Sequence, residues 1–232
     1  MKYALLFVLM GAGEVLFAQP ARISVRPVLL GMPVALDQPL AGANGDSLIF
    51  STLRFYLGAF EWHAGGQVVY QNETYHLLDL EEPGSLHLSF PLAAPAAFDT
   101  LVFCLGVDSL TTVAGAMGGD LDPVKGMFWT WQSGYIHLKA EGKATGCPAR
   151  GGHFEFHIGG YHSPFQTVQR VAVPASCTGP VLLDFDLGPF FEDAQRAGTW
   201  RLMSPGKEAT RLAGVLGKSF RCVGAGPPAA RP

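Results

Sequence analysis

The chain has 232 residues, a formal net charge of −3 and only 15% charged residues, and its 29 glycines and 17 prolines make up about a fifth of it. That composition suits short strands joined by many turns and argues against a helical bundle. It carries no basic stripe of clustered Lys and Arg, which excludes nucleic acid as a partner.

In chain order, Lys2, the apolar run from Ala4 to Met10 and the small-residue exit at Leu16-Phe17-Ala18 read as a cleaved secretory signal over residues 1–18. The run is too brief to span a bilayer, and no later stretch is long and apolar enough to do so. The expected product is periplasmic or secreted, without a membrane span after cleavage. One domain is predicted over residues 19–223, with a disordered tail over 224–232 that begins at Gly224-Ala225-Gly226-Pro227-Pro228.

Ile23 to Val28 alternates and opens the strand series, and Leu48 to Leu57 is apolar and aromatic-rich. Gly65-Gly66 turns the chain before Gln67 to Tyr70. Tyr75 to Leu80 and Leu86 to Phe90 flank Glu82-Pro83-Gly84, and Thr100 to Val107 reads as a buried strand. A Gly-rich loop from Ala114 to Gly126 precedes the alternating runs Tyr135 to Glu141 and His153 to Ile158. Val168 to Val173 and Val181 to Leu187 complete the strands, and Glu208 to Phe220 is the one helix predicted. About ten strands with turn signals between them predict an all-β, antiparallel β-sandwich with one short C-terminal helix. Cys104, Cys147, Cys177 and Cys222 are an even number in an exported chain, which predicts two disulfides of open connectivity.

Within His153-Phe154-Glu155-Phe156-His157, strand alternation puts His153, Glu155 and His157 on one face and the two phenylalanines on the other. Two imidazoles flanking a carboxylate suit first-row metals. On this pattern alone the solvated face of an ordinary strand is the favoured reading, and a metalloenzyme built on these three residues ranks last. There is no H-E-x-x-H, G-x-S-x-G, P-loop or G-x-G-x-x-G fingerprint, so no enzyme is predicted. Trp129 and Trp131 are two apart and read as a core aromatic pair or a carbohydrate platform.

Several blocks together resemble the MbnP-like copper-binding family, of the methanobactin-associated periplasmic type. They are Leu105-Gly106-Val107-Asp108-Ser109, the long run from Leu121 to Ile136 containing Gly126-Met127-Phe128-Trp129-Thr130-Trp131, then Glu141-Gly142 and Phe156-His157-Ile158-Gly159-Gly160. Tyr75 to Leu80 and Met203-Ser204-Pro205-Gly206 also match, so the resemblance covers roughly residues 22 to 221. It implies an exported β-sandwich that binds copper as Cu(I) through histidines and a kynurenine, the latter formed from a tryptophan by a dihaem peroxidase partner of the MauG-like type. The matching histidines are His76 and His157, and the matching tryptophans are Trp129 and Trp131, with Trp62 beside His63 as a further candidate. Asp79, Asp108 and Asp122 are the acids nearest these motifs, to orient a ligating imidazole or to cap turns. The alternative is a structural or adhesive β domain that kept the fold and not the metal.

Overall fold

The computed structural model describes residues 20–93, 98–131, 134–175 and 180–225. The predicted signal segment, Cys177 and the tail beyond residue 225 lie outside them. The strands are β1 (Pro20–Leu29), β2 (Met32–Pro33), β3 (Pro39–Ala41), β4 (Ser47–Ala64), β5 (Gln67–Asp79), β6 (His87–Ala93), β7 (Thr100–Leu105), β8 (Phe128–Trp129), β9 (Gly134–Ala144), β10 (His153–Gly159), β11 (Gln169–Pro174), β12 (Val181–Asp186), β13 (Arg201–Leu202) and β14 (Phe220–Ala225). The helices are α1 (Ser109–Val113), α2 (Gly188–Arg196) and α3 (Lys207–Leu216).

Two sheets stack as a sandwich. The smaller runs β14-β12-β1-β2, with β6 also on β1. The larger runs β11-β7-β4-β9-β10-β13, with β3 and β5 on β4 and β8 on β9. Both are mixed, because β1 runs parallel to β12 and β10 runs parallel to β13. This corrects the expectation of a purely antiparallel sandwich with about ten strands and one helix. The predicted fragments at Gln67–Tyr70 and Tyr75–Leu80 are one strand, and short pieces such as β2, β8 and β13 lack the length that makes alternation visible.

The long strand β4 organises the larger sheet. One edge takes β9 and then β7, and the other takes β3 and then β5. Its inward side chains Phe50, Phe55 and Phe60 are fully buried and meet Phe154 and Phe156 of β10 and Leu183 and Phe185 of β12 in one core. Fully burying each such ring is worth about 1.5–3 kcal/mol of transfer free energy. Phe190 and Phe191 of α2 close one end, edge-on to Phe156 at 5.0 and 5.8 Å. A second, smaller cluster lies on the outer face of the larger sheet: Tyr56, Leu77, Val107, Leu121, Met127, Trp129, Tyr135 and Ile136. The Gly-rich loop predicted from Ala114 to Gly126 covers it and carries two short 3₁₀ turns, Gly119–Leu121 and Pro123–Lys125.

The disulfide expectation is corrected for the cysteines described. Cys104, Cys147 and Cys222 are free thiols. Cys104 lies in β7 of the larger sheet and Cys222 in β14 of the smaller one, while Cys147 follows β9 and donates from its Sγ to the His153 carbonyl oxygen at 3.2 Å. Among the described residues, no helix is long and apolar enough to cross a membrane.

Candidate metal centre

His76 stands in β5 opposite Leu57 of β4. Its neighbour Leu77 joins the outer cluster while Leu78 joins the main core, so alternation turns His76 inward, towards the rim of the sandwich. There its ring packs against Phe60 and Phe90, with centroids 6.2 and 5.7 Å away. The Nε2 atom is 3.0 Å from Thr74 Oγ1, and that hydroxyl donates to Asn72 Oδ1. A hydroxyl has one proton to give, so Thr74 accepts from His76, which places the imidazole proton on Nε2 and leaves Nδ1 with a bare lone pair. Nδ1 faces Asp120 Oδ2 at 3.9 Å. Burial holds the His76 pKa below its ordinary value, against the pull of Asp120, so the ring is neutral at pH 7.

Asp120 reaches this position from a 3₁₀ turn, Gly119–Leu121, which sets its carboxylate towards His76 and Leu121 into the outer cluster. Its other oxygen is 2.7 Å from Lys125 Nζ. The turn is fixed from beneath: Tyr56 Oη donates to the Asp120 carbonyl at 2.9 Å, and Tyr135 Oη to that of Leu121 at 3.0 Å. His76, Asp120 and Lys125 line a cavity of about 480 Å³ between β5, β6 and the loop, which His87 and Arg54 also line. His87 is exposed, with Nδ1 2.9 Å from Ser24 Oγ.

His157 stands elsewhere. Cross-strand pairing runs Asp79–Arg54–Lys139–His157 through β5, β4, β9 and β10, so His157 lies three strands from β5, about 14 Å at ~4.8 Å per strand. It also points to the opposite face, since Phe156 and Ile158 on either side of it enter the core. His76 and His157 therefore cannot ligate one ion, which corrects their assignment as a joint pair. The Nε2 of His157 is 2.6 Å from Glu141 Oε1, and Lys139 Nζ is 3.5 Å from the same oxygen. Burial lowers the His157 pKa and the Glu141 contact opposes it. His153 is exposed and Glu155 pairs with Arg201 at 2.7 Å, so His153, Glu155 and His157 do not assemble a centre. Among the described residues, no three of His, Cys, Asp and Glu gather as a metal-holding cluster.

The sequence profile of the MbnP family matches residues 18–204 of the chain. The chain belongs to the MbnP family. In solved structures the fold is similar to MbnP from Methylosinus trichosporium, with a TM-score of 0.58 and 18% sequence identity over 75% of this chain and 78% of that one. No curated protein matches.

Within this MbnP chain, the tryptophans of the long motif are not beside His76. Trp129 is buried in the outer cluster, and its ring edge rests on Gly159, where a Cβ would lie 2.8 Å from Cζ3. It therefore shares a face with His157, two residues before Gly159. Trp131 is 62% exposed, its ring centroid 5.7 Å from that of Trp129. The indole that accompanies His76 is Trp62, which contacts the same two rings, Phe60 at 6.2 Å and Phe90 at 5.1 Å. Trp62 and His63 face opposite ways: Trp62 is in the core, while His63 Nε2 is 2.7 Å from Glu61 Oε2. The three aspartates near the motifs serve turns. Asp79 accepts from the Glu81 N–H, Asp108 from Thr111 and Asp122 from Val124. Asp120 and Thr74 were missed because neither stands in a periodic run or beside a histidine of the motif.

Proposed function

We propose that this MbnP chain is an exported, non-catalytic copper-binding protein, with His76 as the anchoring ligand and Asp120 as the second donor. One arrangement carries the reading: His76 Nδ1 and Asp120 Oδ2 face each other at 3.9 Å, and the contact of Nε2 with Thr74 assigns the imidazole proton to the other ring nitrogen. Lys125 offsets the Asp120 charge from its other oxygen, and an ion seated between Nδ1 and Oδ2 would bond both, since first-row ions bond imidazole nitrogen and carboxylate oxygen at about 2.0–2.2 Å each. The donor chemistry fits, with two protein donors and the cavity open for further ligands. Imidazole suits copper in both oxidation states, while a carboxylate is harder than Cu(I) prefers. Phe60 and Phe90 pack on the His76 ring and hold it in place. If a kynurenine is formed by a dihaem peroxidase partner, Trp62 is the indole placed to join this site, ahead of Trp129 and Trp131.

The test is copper stoichiometry of the purified chain, loaded with Cu(I) under anaerobic conditions and with Cu(II) in a separate arm. His76→Ala is expected to abolish binding and Asp120→Asn to weaken it, while His157→Ala keeps it. Equal copper in the wild type and His76→Ala would refute the ligand assignment, and none in either would leave a structural or adhesive domain. An intact-mass change mapped to the peptide containing Trp62 tests the modification separately.

A further inference from the structure

A second cavity lies on the outer face of the larger sheet, about 200 Å³ in volume and lined by Trp129, Tyr135, Tyr161, His162, Phe165 and Pro205 among others. It shares no lining residue with the cavity at His76. Ring-bearing side chains make up most of its wall, Gly134, Gly160 and Ser163 complete it, and no carboxylate, ammonium or guanidinium lines it. Tyr161 and His162 lie ring against ring at 3.9 Å.

The frame of this cavity is fixed by hydrogen bonds. Thr167 donates its N–H to the Gly160 carbonyl at 3.0 Å, and Phe165 to that of His162 at 2.8 Å. Ser109 Oγ donates to the Tyr161 carbonyl at 2.9 Å. Gly160 has φ 147°, a conformation that favours glycine, and its α-carbon sits close under Pro205, where a Cβ would come within 3.2 Å. Such a cavity exists before any ligand arrives, which keeps the ordering cost of binding low. At its side stands the indole of Trp131, whose exposure is unusual for so large an apolar ring.

We infer that this cavity is a binding site for a neutral, single-ring aromatic molecule of the phenol class, with the ring held among Trp129, Tyr161 and Phe165 and the hydroxyl directed to His162 or Ser163. Size and chemistry both select this class. An apolar cavity of about 150 Å³ accepts benzene, so the volume here holds one ring and a small substituent. A sugar would need partners for several hydroxyls, and the side-chain partners not already engaged here are confined to Tyr161, His162 and Ser163, while each buried, unpaired hydroxyl is costly. A charged ligand would find no counter-ion.

The experiment titrates p-cresol into the full chain and follows the indole N–H signals of Trp129 and Trp131 by ¹H–¹⁵N spectroscopy. Both signals are expected to shift saturably, and the peak pattern reports whether each variant is folded. Tyr161→Ala is expected to weaken binding about tenfold, while Tyr161→Phe, which keeps the ring, binds as the wild type does. His76→Ala is expected to leave the titration unchanged, which separates this site from the metal proposal. No saturable shift, or equal binding by Tyr161→Ala, would overturn the site. Equal response to cyclohexanol or to glucose would overturn the aromatic class.

Discussion

His137 is an imidazole sealed inside the protein, and its titration sets a measurable acid limit on stability. Its Nδ1 is 3.0 Å from Thr167 Oγ1, which donates in turn to the Gly160 carbonyl, so Nδ1 carries the proton. The other nitrogen, Nε2, is buried without a partner among the described residues. Protonation would charge a fully buried ring, a cost that the Thr167 and Val107 backbone offsets only in part, and burial accordingly pushes the His137 pKa down to about 4 from 6.5. In the unfolded chain the ring takes up its proton near pH 6.5, so the unfolded state binds more protons as the pH falls. Stability is complete above pH 6.5, declines from there and levels off below pH 4, with a full loss of about 3 kcal/mol. Between pH 7.5 and pH 5 the loss is about 2 kcal/mol by the same linkage.

The assay is urea unfolding at pH 7.5, 6.0 and 5.0, followed by tryptophan fluorescence, on the wild type and His137→Asn. The variant is expected to start less stable, because Thr167 loses its donor, but to lose about 2 kcal/mol less than the wild type over this interval. Carboxylates, His76 and His157 titrate in both proteins and cancel in the difference. Parallel pH dependences would refute the reasoning, since they would mean that His137 holds the same proton in both states.

Two further perturbations test the core and the outer face. Phe156→Ala removes a fully buried ring that meets Phe154, Phe190 and Phe191. It should cost about 3–5 kcal/mol, read as a drop of roughly 6–20 °C in the thermal midpoint. Glu141→Gln removes the carboxylate that supports a charged His157, so the His157 pKa, followed by NMR, should fall further below its ordinary value.

Strand alternation made the inward and outward faces of β10 legible: Phe154, Phe156 and Ile158 are buried, and His153 and Glu155 are not. The helix α2 was not legible, since Phe190 and Phe191 continue the apolar run of β12. Only their spacing to Ala194, with Pro189 in the first turn, marks helical period. The centre was legible only in half. His76 stands in a recognisable strand, but Asp120 comes from a loop 44 residues later and is positioned by the Tyr56 and Tyr135 hydroxyls. The tryptophan beside it was obscured by irregular pairing. Ala59 has φ 49° within β4, where the register against β5 slips between Gly58 and Phe60 and again between Trp62 and His63. Simple alternation cannot carry a side chain's direction across such bulges.

The eighteen residues of β4 find their neighbours between residues 39 and 144. A ribosome that has released only the first hundred residues has therefore produced a spine with one flank bare along the whole stretch from Leu48 to Phe55, where β9 will later sit. Open backbone of that kind invites pairing with another chain. The chain is thus vulnerable to self-association until β9 arrives.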